Sequence, residues 1–271
     1  VINEPASLVA NLTAIDPLCF GDANGSVTAT VTGGTMPYSY EWMDASGSIV
    51  GTTATVSGLV AGVYDCKVID NNNCSTIVNV SVNDPALLQA NLVATDASCV
   101  GSNDGILTVS PTGSTGPYTV TWSTGVTATV LAGNSNSITG LDINSVYAVS
   151  VQDAIGCPIV HLSNLTISEP LPITLTISID DASCYSYSDG QATITNISGG
   201  IAPYTYDWPL GAGGLISPLL PLGNYNVVTT DANGCTSVTP FNISQPDSIN
   251  PDISITSLHN GYNISCNGGS N

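Results

Sequence analysis

The sequence predicts an all-β protein laid out as a rod-like tandem array of two-sheet sandwiches of about 82 residues each. Three observations lead there. A twelve-residue stretch ending in cysteine, VYDCKVIDNNNC (63–74), recurs as VYAVSVQDAIGC (146–157) and NYNVVTTDANGC (224–235). Short segments alternate apolar and polar residues with a period of two, as in SVTATVT (26–32), YSYEW (38–42) and TIVNVSV (76–82). No segment carries the 3.6-residue period of a helix.

Each unit reads in the same order. A strand of the LVANLTA type comes first (8–14, 90–95, 173–179), then a cysteine followed six residues later by glycine: Cys19 and Gly25, Cys99 and Gly105, Cys184 and Gly190. MPYSYEW, GPYTVTW and APYTYDW follow, each placing a Pro-Tyr pair four residues before Trp42, Trp122 and Trp208. Next come Tyr64, Tyr147 and Tyr225, ten residues before a second cysteine, and Asp70, Asp153 and Asp231, four before it. Pro85, Pro170 and Pro246 close the units. About seven short strands, with a Trp on an early-middle strand and a Tyr opening a late one, describe an immunoglobulin-like sandwich.

The first cysteines are 80 and 85 residues apart, and 82 more residues lead from Cys184 to Cys266. The expected organisation is therefore the end of a preceding repeat (1–6), three repeats (7–86, 87–170, 171–248) and the start of a fourth (249–271). On this register the chain is an excerpt from a longer array, and a Gly should follow Asn271 in the parent protein.

Composition limits the partners. An apolar content of 42% is enough to build a core in every unit, but charged residues are only 8%, against roughly 25% in ordinary domains. One Lys against twenty Asp and Glu gives a formal charge of -19, so the chain cannot neutralise phosphates, which argues against nucleic acid and anionic membrane. Cations remain compatible. No apolar run approaches the ~20 residues of a membrane span, and no basic-then-apolar leader starts the chain. Eight cysteines in such a polar β-sequence fit an oxidising, extracellular setting.

The cysteines are of two kinds. Cys66 shares a strand face with Tyr64 and Val68 and occupies the slot that Val149 and Val227 fill in the other units, so it reads as a buried free thiol acting as a small apolar side chain. Cys19, Cys74, Cys99, Cys157, Cys184 and Cys235 recur and imply disulfides. The simplest pairing lies within units, Cys19 with Cys74, Cys99 with Cys157 and Cys184 with Cys235, each closing a loop worth on the order of 4 kcal/mol. The alternative links units, Cys19 with Cys157 and Cys99 with Cys235, because the first and last turns of an immunoglobulin-like sandwich lie at opposite ends. Cys266 is left without a partner in this chain.

Trp42, Trp122, Trp208, Tyr64, Tyr147 and Tyr225 recur once per unit on strands of matching phase, as core residues do. Tyr185 and Tyr187 occur only in the third unit and are the aromatic candidates for an outside contact. Asp16, Asp96, Asp181, Asp84 and Glu169, with Asp247 beside the last junction proline, are the candidates for calcium between units. The segments at Asp70, Asp153 and Asp231 read instead as hairpin turns. His161 and His259 fall at unrelated positions, no GxSxG, HExxH or phosphate loop is present, and a repeated module with a catalytic group should repeat it; neither an enzyme nor a cofactor is expected. Eight N-x-Ser/Thr sequons, such as Asn11-Leu12-Thr13, match chance in so Asn- and Thr-rich a chain.

Taken in order, C-x-G-x-x-(N/D)-G, G-x-x-P-Y-x-x-x-W and G-x-Y-x-V-x-V-x-D-x-x-G-C resemble the SprB-type repeat of very large surface adhesins of gliding bacteria. Departures are local: Ser186 replaces a glycine, as does Asn73, and Asn224 replaces a small residue. The resemblance implies export by a type IX pathway, attachment at the cell surface, contact with the motility or secretion machinery of the outer membrane, and adhesion to a surface glycan or an abiotic surface. Neighbouring repeats of the same long chain would then be its first partners.

Overall fold

A computed structural model describes residues 6–251. Cys266, His259, the rest of the expected fourth repeat from 252 on and residues 1–5 lie outside the described residues. The chain divides into two compact units, Val1–Glu169 and Pro170–Asn271. The first unit holds two sandwiches and the second holds one.

In the first sandwich, β1 (Val9–Ile15), β2 (Gly25–Thr32) and β5 (Thr55–Leu59) form one sheet in the order β1-β2-β5. The facing sheet runs β4-β3-β6-β7 through β4 (Ile49–Gly51), β3 (Ser39–Met43), β6 (Gly62–Ile69) and β7 (Ser75–Val82). All pairs are antiparallel. A three-stranded sheet over a four-stranded one, with the chain crossing between them, is the immunoglobulin-like arrangement. The second sandwich repeats it strand for strand: β8 (Gln89–Thr95), β9 (Gly105–Thr112) and β12 (Asn136–Leu141) face β10 (Tyr118–Trp122), β11 (Thr127–Val130), β13 (Tyr147–Gln152) and β14 (Val160–Leu165).

The third sandwich departs at one edge. β15 (Thr174–Asp180) pairs only with β16 (Gln191–Ser198), while β17 (Thr205–Trp208), β18 (Gly211–Gly213), β19 (Gly223–Thr230) and β20 (Thr236–Ile243) form the four-stranded sheet. Single bridges from Gly190 to Leu220 and from Thr193 to Ile216 stand where β5 and β12 lie in the other two. The proline-rich segment ISPLLPL (216–222) explains this, because Pro cannot donate to a ladder. Ser217 compensates locally: its Oγ accepts the Ala192 N–H at 2.9 Å.

Each sandwich closes over its own apolar cluster. Trp42, Tyr64, Cys66 and Val68 pack with Val27 and Val82 in the first; Trp122, Tyr147, Val149 and Val151 pack with Leu107 and Ile167 in the second. Trp208, Val227, Phe241 and Ile243 centre the third. Every Trp is buried, and each indole N–H finds an acceptor, Thr53 O, Asn136 Oδ1 or Gly214 O. The Tyr64 hydroxyl donates to Val60 O at 2.9 Å and the Tyr225 hydroxyl to Pro221 O at 3.0 Å, the tyrosine-corner bond back to the chain just upstream. Tyr147 reaches Asp142 in the same manner, accepting its N–H at 3.1 Å. Tyr225 is half-buried rather than buried, because Phe241, opposite it in the ladder where Val80 stands opposite Tyr64, fills the core and lies 5.7 Å from its ring.

A second tyrosine is fixed in every unit. Cis peptide bonds precede Pro37, Pro117 and Pro203. The Tyr after each donates its hydroxyl to a glycine carbonyl five residues upstream, Gly33, Gly113 or Gly199, at 2.5–2.7 Å. The Pro-Tyr motif is thus a corner of the fold.

Candidate functional site: the junction between the first two sandwiches

Two loops in each sandwich carry the recurring cysteines, and their hydrogen bonds place them at opposite ends. The first-cysteine loop lies where the chain leaves the sandwich. Gly21 N–H donates to the Asp84 carboxylate at 3.1 Å, and Asn83 N–H donates to Asp16 at 2.8 Å. The second loop repeats this, Gly101 to Glu169 and Ser168 to Asp96, at 2.6 and 2.9 Å. In the third, Ser186 donates to Gln245 and Ser244 to Asp181, at 2.9 and 2.8 Å. A further side chain closes each loop from within: Asn24, Asp104 or Asp189 accepts the N–H of the residue before the cysteine at 2.9–3.0 Å.

These bonds give the calcium candidates another occupation. Asp16, Asp96 and Asp181 hold the last strand of each sandwich, and Asp84 and Glu169 hold the cysteine loop. The third member of that last set is the neutral Gln245, not Asp247, so the position needs an oxygen acceptor rather than a charge. No group of three His, Cys, Asp or Glu side chains stands close enough to share a metal among the described residues.

The second-cysteine hairpin lies at the end where the chain enters. Asp70 accepts the N–H groups of Asn72 and Cys74 on one oxygen and of Thr35 on the other, all at 2.9 Å. Gly34, next to Thr35, donates to Ala6 O just ahead of β1. Asp231 binds Asn233, Cys235 and Ile201 in the same pattern. Asp153 binds Gly156 and Cys157 and takes the Ser114 hydroxyl in place of a third amide. Burial raises the pKa of these three carboxyls, but the donors aimed at them outweigh it and the net shift is downward from 3.8. The turns expected there are turns, each organised by one buried carboxylate.

Exit loop and entry hairpin meet between the first two sandwiches. Cys19 of the first is bonded to Cys157 of the second, with 138 residues between them in sequence and 5.5 Å between their Cα atoms. The within-unit pairings of Cys19 with Cys74, Cys99 with Cys157 and Cys184 with Cys235 are therefore corrected: the two loops of one sandwich are at opposite ends, whereas the chain leaving Asp84 runs directly to the entry of the next. Cys99 and Cys235 are each disulfide-bonded, while Cys74 and Cys184 are free and exposed. Around the link, Cys157 Sγ lies 3.7 Å from Leu18 O, and Phe20 lines a cleft with Leu87, Leu88, Ser114, Ile159 and Val160.

Cys66 is free and fully buried, opposite Trp42 on β3 and Val78 on β7, and burial pushes its thiol up to about 11. Lys67, next to it, points the other way and pairs with Glu41 at 3.3 Å across the strands. The His161 ring nitrogen bonds Ser150 Oγ at 2.7 Å on the surface. Tyr185 and Tyr187 are exposed.

Comparison with known proteins agrees with the repeat. The family model described as the SprB repeat matches residues 11–47, 91–127 and 176–213. No curated protein matches the chain. Among solved structures, the tetra-tandem repeat in the extending region of a large adhesion protein is 18% identical and covers 88% of this chain and 75% of its own, with a TM-score of 0.27. The FN1-FN3 domains of chicken CNTN1 are 11% identical, covering 89% and 99%, with a TM-score of 0.29. Domains 3-5 of Drosophila OTK are 9% identical, covering 83% and 93%, with a TM-score of 0.24. These overlays are low, and the architecture rests on the strand order within each sandwich. Three segments of the chain are similar to the SprB repeat, and each lies within one of the immunoglobulin-like sandwiches.

Proposed function

We propose that this chain is a stalk or filament segment of a large bacterial cell-surface adhesin, exported to the outside and structural rather than catalytic. The observation that carries the reading is the Cys19–Cys157 link, which staples the exit of one sandwich to the entry of the next. A covalent clamp at the joint restrains bending and resists pulling, which suits a spacer that holds an adhesive part away from a surface. The polar groups that recur do structural work in every unit, closing turns, corners and loop ends. A surface almost without basic residues suits an exposed bacterial stalk, and the oxidised cysteines suit export. On this proposal the protein is exported by a type IX pathway and engages the outer-membrane motility machinery.

Small-angle scattering tests the stalk directly. A stalk requires a maximum dimension on the order of 100 Å for the oxidised chain, and a compact globule would sink the proposal. A second reading, direct binding of surface glycan by a repeat, draws on the exposure of Tyr185 and Tyr187, 55% and 57%, in one repeat alone. Glycan-array binding that Tyr187→Ala abolishes would favour it.

A further inference from the structure

The joint at Cys19 and Cys157 leaves one recurring cysteine free in the first repeat and one in the third. Cys19 belongs to an exit loop and Cys157 to an entry hairpin. Cys184 is the exit-loop cysteine of the third repeat and Cys74 the entry-hairpin cysteine of the first, and both are free and exposed. Their settings match those of the bonded pair. The Cys184 carbonyl accepts the Tyr187 N–H at 3.2 Å, as the Cys19 carbonyl accepts that of Asp22 at 3.1 Å. Cys74 N–H is held by Asp70 as Cys157 N–H is held by Asp153.

Apolar side chains flank both thiols. Phe20, the residue after Cys19, lines the cleft beside Cys157. Its counterpart after Cys184 is Tyr185, and the two are exposed alike, Phe20 at 53% and Tyr185 at 55%. On the hairpin side, Val160 lies three residues after Cys157, lines the cleft and is half-buried. Its counterpart Ile77, three residues after Cys74, is 60% exposed.

We propose that the Cys184 loop and the Cys74 hairpin are the two open halves of this same covalent joint, each built to take a further SprB-type repeat. Cys184 with Tyr185 receives an entry hairpin, and Cys74 with Ile77 receives an exit loop. The inference goes beyond the adhesin reading, since it concerns repeat-to-repeat assembly whatever the array is for. Each link forms by thiol–disulfide exchange with a small disulfide oxidant such as oxidised glutathione. The oxidant's S–S bond breaks as the protein's forms, and the two electrons and two protons of the protein thiols leave as two glutathione thiols.

The test joins two copies of the chain in tandem, Pro246 of the first running into Ala6 of the second, which keeps the spacing of Pro85 to Ala86. After oxidation with glutathione disulfide, peptide mapping without reduction should show Cys184 of the first copy bonded to Cys74 of the second, while Cys74 of the first copy and Cys184 of the second stay open to alkylation. Serine in place of the second copy's Cys74 should return the first copy's Cys184 to full labelling with circular dichroism unchanged. Tyr185→Asp in the first copy should slow formation of the new link several-fold and leave Cys19–Cys157 intact. Complete alkylation of both junction thiols after oxidation, or pairing of the second copy's Cys74 with its own Cys19, would overturn the proposal.

Discussion

Cys19 and Cys157 belong to different sandwiches, yet they are bonded to each other while Cys74, in the same sandwich as Cys19, is free. The link encloses 138 residues of separation, for which the chain-entropy model gives about 5 kcal/mol of restraint on the unfolded chain. Replacing both cysteines by serine should lower stability by up to about that amount, read as an earlier midpoint in guanidinium titration. A midpoint equal to that of the parent protein would mean that the staple restrains only the joint. In the native protein iodoacetamide should label Cys74 and Cys184 quickly and Cys66 only on unfolding, because Cys66 is buried with its thiol pushed up to about 11.

Thr229 occupies the inward slot that Val68 and Val151 fill in the other sandwiches, is fully buried, and its hydroxyl has no hydrogen-bond partner. A buried hydroxyl without a partner costs roughly 1–3 kcal/mol. Thr229→Val should therefore raise the melting temperature of the third sandwich, with a gain of about 1 kcal/mol or more. Val68→Thr should destabilise the first sandwich. A loss of stability in Thr229→Val, measured by differential scanning calorimetry, would contradict the assignment of that slot as apolar.

The acid response follows from the hairpin carboxylates. Asp70, Asp153 and Asp231 each have a folded-state pKa below the unfolded 3.8, with burial opposing the shift and the amide and hydroxyl donors producing it. A lowered folded value means that the stabilisation is fully present above the unfolded pKa and is lost as pH falls through the folded one. Urea midpoints should therefore be flat from about pH 7 to 5 and fall below about pH 4. Relief of the -19 net charge acts in the opposite sense and softens the fall. Asp153→Asn should be less stable at neutral pH and have a shallower acid slope; an unchanged slope would remove Asp153 from the explanation.

Much of this was legible in the sequence because repetition supplies its own controls. Three copies of a Trp or a corner Tyr on matching strand phases identify core positions, and Val149 and Val227 reveal what Cys66 replaces. The cysteine pairing was half legible: the opposite ends of an immunoglobulin-like sandwich already offered Cys19 with Cys157, the pair found, but spacing alone made the within-unit pairing look simpler. The role of the acidic residues was not legible, because a carboxylate that accepts backbone amides and one that binds cations look alike in a sequence. Only Gln245, in the third repeat's version of the Asp84 position, carried the distinguishing signal. The loss of the β5 counterpart in the third sandwich was written in Pro218 and Pro221.

Ser186 tests the exit loop. It takes a φ of 65°, where the equivalent residues are Gly21 at 77° and Gly101 at 72°. A side chain in the left-handed region is strained by about 1 kcal/mol, so Ser186→Gly should stabilise the third sandwich by up to that amount. Thermal unfolding followed by tyrosine and tryptophan fluorescence reads the change. Destabilisation would mean that the Ser186 side chain makes a contact worth more than the backbone strain.

The most direct measurement is disulfide mapping of the oxidised chain without reduction. With Lys67 as its only Lys or Arg, the chain is nearly immune to trypsin, so cleavage at Asp and aromatic residues is the appropriate route. The staple predicts a peptide pair joining Cys19 to Cys157, with Cys66 and Cys74 recovered as alkylated thiols. A peptide pair joining Cys19 to Cys74 would contradict it.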